Sequence, residues 1–156
     1  MKAIRQRGAA AVEFALVALI FFGLLLGTVQ FGWLLYNYVV LATAASTGAR
    51  VLATQRGYSA PYTNTKSAIL AAATSLGAQS TIASRMTITM SVGGASCQND
   101  ALCTTALGTG TQAPAPGTQA SVAISYAFAP IVGGSLAGKA SLLPTALQAS
   151  MSELVQ

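Results

Sequence analysis

Histidine is absent from the 156 residues, and the only acidic residues are Glu13, Asp100 and Glu153. The commonest general base and metal ligand is therefore missing, and Asp100 and Glu153 stand far apart in sequence. No serine has a Gly-x-Ser-x-Gly setting, and two cysteines without further ligands do not make a zinc site. The glycine-rich run from Val132 to Lys139 lacks the spacing of a phosphate-binding loop. These gaps predict no catalytic residue, no metal, no cofactor and a role other than enzymatic. Charge of either sign is also scarce, at 7% of residues with 53% apolar, against about 25% charged in an ordinary soluble domain. A membrane segment, a surface that packs on other subunits, or both would account for the shortfall. Basic residues outside the N-terminus are scattered singly, with no patch of interleaved aromatics, so no nucleic-acid partner is expected.

What is present is a charge asymmetry around a long apolar run. Lys2, Arg5 and Arg7 precede it, and Phe14 to Ala49 contains no charged side chain. As a helix that stretch would reach roughly 54 Å, well beyond a hydrocarbon core of about 30 Å. The most apolar part, Ala15 to Leu35, is long enough to span, with the membrane segment expected at about residues 14–36. Trp33, Tyr36 and Tyr38 follow at its far end, where amphipathic aromatics favour the interface, while the basic residues hold the N-terminus in the cytoplasm. Beyond Tyr38, apolar Leu41, Ala44, Ala45, Gly48 and Leu52 share a face, opposite Thr43, Ser46, Thr47 and Arg50. The helical spacing continues unbroken, which predicts one helix over 9–56. Along it, Gly23, Gly27 and Gly32 supply small-residue spacing that lets helices approach closely.

Residues 57–156 read as an exported α+β domain. A second short helix is expected after a turn-like stretch, capped by Asn64 or Thr65 and ended by Gly77. Apolar–polar alternation marks three strands, at Met86–Val92, Ser121–Phe128 and Leu147–Ser152. The expected fold is a long N-terminal membrane-spanning helix, a second short helix and a small three-stranded antiparallel sheet packed on the amphipathic helices, a pilin-like layout. A long polar connection over 93–118 carries Cys97 and Cys103. In an exported domain these can form a disulfide; in a cytosolic one they would be free thiols. The leader charges favour export.

The most informative words stand at the membrane entrance: Arg5-Gln-Arg-Gly8, then Ala9-Ala-Ala-Val-Glu13-Phe14. A secretory signal peptide would have a much shorter apolar core followed by its cleavage site. Glu13 is a lone carboxylate at the mouth of an apolar helix, a costly place unless it is neutralised, paired or interfacial. A headgroup position near the helix N-terminus, where the dipole favours negative charge, is one reading of it.

A second reading comes from resemblance. From Arg5 to about Leu52 the chain resembles the TadE-like pseudopilins of the tight-adherence pilus system. The resemblance implies that a prepilin peptidase cuts after Gly8, leaving residues 1–8 as a cleavable leader and Ala9 as the new N-terminus. It implies that Glu13, followed by Phe14, then pairs with the Ala9 amine of a neighbouring subunit. The implied role is a structural or initiating minor pilin in the inner membrane, with its C-terminal domain periplasmic and possible incorporation into an extracellular pilus. Implied partners are other pilin subunits, the prepilin peptidase, the assembly platform and the lipid bilayer. The rival reading is a monomeric membrane-tethered periplasmic binding module whose N-terminus is never cleaved.

Overall fold

The computed structural model describes residues 4–108, 117–131 and 144–156, with the backbone alone for residues 4–7. The glycine-rich run at 132–139 and most of the stretch Thr111–Thr118 lie outside the described residues. One helix, α1, runs unbroken over Ile4–Ala53. Only its last part, from Tyr36, belongs to the compact unit that holds the sheet; Met1–Leu35 belongs to a separate unit.

In the sheet-bearing unit, α1 buries Leu41, Ala44, Ala45, Ala49 and Leu52 completely. This is the apolar face read from the 3.6-residue period. Its small side chains set how closely other elements can approach. A β-carbon added at Gly48 would lie 2.5 Å from Ile69 Cγ1, 2.7 Å from its Cδ1 and 3.5 Å from Val122 Cγ1. Ile69 sits on helix α2, Pro61–Ala72, and Val122 on strand β3, Gln119–Ala127. Gly48 is thus the point where α1, α2 and the sheet meet.

The sheet has four antiparallel strands rather than three, in the order β2-β1-β3-β4. The three expected strands are β1 (Met86–Val92), β3 and β4 (Ala146–Leu154). The addition is β2, Ala95–Ser96, paired back onto β1 through Ser91↔Ser96 and Val92↔Ala95. The intervening Gly93 and Gly94 have φ of 57° and 84°, the left-handed pair that a two-residue hairpin turn requires. Inward-facing Met90, Val92, Ala120, Val122, Ile124 and Tyr126 are buried. The outward face carries Thr87, Thr89, Ser121, Ser125, Gln148 and Ser150, so the period-two pattern holds.

The helices differ more from expectation. Helix α2 begins with Pro61 at its first turn, and neither Asn64 nor Thr65 caps it. Asn64 Nδ2 instead donates to Gln55 Oε1 at 2.9 Å, and Thr65 is fully buried. The helix ends at Ala72, and Gly77 closes a following 3-10 turn, Thr74–Leu76. A short helix α3, Gln79–Arg85, leads into β1. Within the supposed loop lies a further helix, α4, Asp100–Leu107, capped by Asn99, whose side chain accepts from Leu102 N at 2.8 Å.

Asp100 also serves α2. Its Oδ1 accepts from Thr63 N at 2.9 Å and its Oδ2 from Thr63 Oγ1 at 2.6 Å. Ala60, at the N-cap of α2, offers no side-chain acceptor, so Asp100 satisfies a helix-start donor from 37 residues away. These hydrogen bonds from Thr63 hold the Asp100 carboxyl below its ordinary value. The disulfide Cys97–Cys103 brackets Asp100, with Cα atoms 4.5 Å apart and both residues buried. By loop entropy, a closure this short contributes about 2 kcal/mol.

Two measurements check this packing. Gly48→Ala would gain about 1 kcal/mol in an open helix. Here overpacking against buried Ile69 costs about 1–3 kcal/mol, so chemical denaturation of the full chain in detergent is expected to show a net loss. Ile69→Val should recover part of that loss by removing one clashing carbon; a stabilised Gly48→Ala chain would refute the close approach. For Asp100, the lowered folded value means that its stabilisation is present above the unfolded value of about 4 and is lost as pH falls through the folded value. Asp100→Ala should therefore lower the melting temperature at neutral pH, and the difference from the native chain should shrink in acid. An equal difference at all pH values would show that the carboxylate charge is not what acts.

Candidate assembly interface

The N-terminal unit presents α1 as an almost bare apolar rod. Among the described residues, Val12, Phe14, Leu16, Leu19, Phe22 and Leu24 are all at least 59% exposed. Leucine- and alanine-rich sequence without proline keeps this stretch helical, and it is long and apolar enough to cross a membrane. Its exposed side chains point in every direction around the axis. No single packed face covers them, so they require lipid or neighbouring helices.

Every residue expected at the assembly end lies on this helix. Gly8 and Ala9 sit within α1 rather than in an extended segment before it, and both are exposed. Glu13 is exposed, and Phe14 is 75% exposed. Ala9 and Glu13 are four residues apart and so share a face. While the bond from Gly8 is intact, the Ala9 nitrogen is an amide; only cleavage would make it a cation.

A β-carbon at Gly23, Gly27 or Gly32 would meet nothing within 4 Å. Gly23 and Gly27 are one turn apart on one side of α1. Gly32 pairs in the same way with Thr28, whose Oγ1 donates to Leu25 O at 2.8 Å, about half a turn round the helix. The helix therefore carries open notches on two sides. Gln30 and Asn37, seven residues apart on one face, are different: both are buried and partnered within the chain.

Cys97 and Cys103 belong to the other unit, where their disulfide is structural, holding the start of α4. Two further residues matter there: Gly48, read from sequence only as part of the apolar face, and Asp100, which had no role assigned. The Asn99-Asp100 pair ahead of an apolar run is a helix-start signal that would have exposed α4. A concavity of about 470 Å³ lies on the outward sheet face among Thr87, Thr89, Ser125, Gln148 and Ser150. Its lining offers hydroxyl and amide groups and no acid or base. Among the described residues no cluster of metal-ligating side chains occurs.

Residues 8–50 match the family described as TadE-like protein. The match covers the bare apolar rod and its continuation to the Gly48 contact, and stops short of the sheet. No curated protein and no solved structure matches the chain.

The open notches lead to a clean test of helix packing. A β-carbon at Gly27 meets nothing within 4 Å among the described residues, and Gly27 lies outside the sheet-bearing unit, so Gly27→Leu should leave the thermal unfolding of that unit unchanged. If the notch receives another helix, site-specific crosslinking from residues around position 27 should fall. Unchanged crosslinking would assign the glycines no packing role.

Proposed function

From its TadE-like N-terminal helix, we propose that this Tad-pilus-associated chain is a minor pilin, a structural or initiating subunit anchored in the inner membrane. The carrying observation is the coincidence of three features on one helix. A basic leader ends at Gly8, a single carboxylate stands at Glu13, and beyond it the helix exposes apolar side chains on all sides. A peptidase cut after Gly8 would create the Ala9 amine. Glu13 of one subunit would then neutralise Ala9 of the next where both are out of water. Its partners would be other pilins, the peptidase and the assembly platform, and its C-terminal domain would lie in the periplasm.

The reading is of a non-catalytic subunit. Two acids outside the leader end have structural work: Asp100 binds the start of α2, and Glu153 pairs with Arg50 at 3.7 Å. That exposed pair contributes little stability, about 0–1 kcal/mol. The buried disulfide supports the periplasmic placement, since such bonds persist in oxidising compartments.

One experiment tests the proposal. The native chain and Glu13→Gln are expressed with a working prepilin peptidase, and the N-terminal mass and the crosslinks to pilins are measured. Both chains should begin at Ala9, because the substitution lies beyond the cut. The mutant should insert and fold normally, yet crosslink poorly, because a desolvated amine left without its partner costs several kcal/mol. An intact N-terminus at Met1 or Lys2 would support the uncleaved tethered module instead. Normal crosslinking by Glu13→Gln would leave Glu13 an interfacial helix-start residue.

A further inference from the structure

Among the described residues, no strand pairs with the outer edge of β4. Its nine residues all pair with β3, from Gln119↔Leu154 to Ala127↔Ala146. Phe128 N bonds to Thr145 O and Val155 N to Thr118 O, which fixes the phase of the ladder. Residues 147, 149, 151 and 153 turn their backbone groups toward β3. Ala146, Gln148, Ser150, Ser152 and Leu154 turn theirs outward, and all five are exposed. Strand β2 forms the opposite edge with only two residues.

Natural sheets guard such an edge with proline, lysine, bulges or a covering element. Here β4 has no proline and no basic residue. Its pairing shows no bulge. Its single charge, Glu153, faces the inner side, where Arg50 pairs with it. Met151 and Leu154 remain 43% and 60% exposed beside the open ladder.

We propose that β4 is a dimerisation edge, which receives the β4 strand of a second copy antiparallel about a twofold axis through Ser150. The strand matches itself in that register. Ser150 is the midpoint of Ala146–Leu154 and an outward-bonding residue, so all five outward positions find outward partners. On the outer face Ala146 meets Leu154 of the second copy, Gln148 meets Ser152, and Ser150 meets itself. On the inner face Ala149 meets Met151. Leu147 meets Glu153 there; Met151 and Leu154, the two exposed large apolar side chains of β4, are each set against an alanine, and no like charges are opposed. Hydroxyl pairing of the Ser150 type already exists in this sheet, where Ser91 Oγ and Ser121 Oγ lie 2.7 Å apart. Sliding the register by two residues either way leaves part of both strands unpaired. Copies tethered to one membrane surface would also meet at high local concentration. The inference goes beyond the pilin reading and does not depend on it.

Cysteine crosslinking of the full chain in membranes tests it. The native cysteines are both in the disulfide, so one added thiol is the only free one. In this register Ser150 Cα atoms lie about 5.5 Å apart, within disulfide reach, whereas Ser152 Cα atoms lie about 15 Å apart. Ser150→Cys should form a disulfide-linked dimer under mild oxidation, and Ser152→Cys should not. Gln148→Cys and Ser152→Cys should link to each other when co-expressed, a result that stands even if Ser150→Cys fails to fold. Ser150→Lys and Ser150→Glu should each weaken the dimer about fivefold by opposing like charges, and co-expression of the two should restore it. Equal linking of Ser150→Cys and Ser152→Cys, absence of any link in the co-expressed pair, or links to a different protein alone would overturn the proposal.

Discussion

The sheet-bearing unit depends on the absence of a side chain at Gly48. The atoms of Ile69 occupy the space that any β-carbon there would need. Flanking alanines at 44, 45 and 49 keep the rest of that face low and fully buried. A helix with small residues along one face lets a neighbouring helix and a sheet approach together. In a unit this small, with little polar surface to spare, such dense packing replaces the volume that large side chains would otherwise fill. The other face of the same helix turns keeps Thr43 and Thr47 bonded to carbonyls one turn back, so its hydroxyls need no outside partner.

Helix α2 can hold Ile69 against that face only if its own start is secured. Its N-cap is an alanine, and the missing acceptor arrives from Asp100, positioned by the Cys97–Cys103 bridge and by Asn99 at the start of α4. A local weakness in one helix is thereby repaired by a distant segment, which ties the stability of α2 to oxidation and to pH. Oxidation outside the cytoplasm would complete this arrangement, in keeping with the proposed periplasmic domain.

Scarcity of charge has different consequences along the chain. On the N-terminal rod it leaves apolar side chains bare on all sides, which lipid or other helices must cover. On the outward sheet face it leaves a field of threonine, serine and glutamine, and on β4 an edge without the usual charged guard. The chain therefore offers association surfaces of two physical kinds, one through side-chain packing and one through backbone hydrogen bonds.

Much of this was legible from residue patterns alone. The long helix, its change from uniformly apolar to one-sided near Tyr38, and the three main strands follow from periodicities of 3.6 and two, which local sequence carries directly. The words around Gly8 and Glu13 carried the family resemblance for the same reason: they lie within one helix turn or two of each other. What only the tertiary structure decided depends on contacts between distant residues. Asn64 looked like a cap because its type suits one, yet Gln55 takes its side chain and Asp100 serves the helix. The polar stretch after β1 read as loop because a two-residue strand and an eight-residue helix are too short to establish a period. Whether Ser150 faces an open edge or a neighbouring strand is likewise invisible in an alternating pattern. Alternation assigns side chains to faces, while strand order, which sets the edges, is fixed only when the sheet assembles.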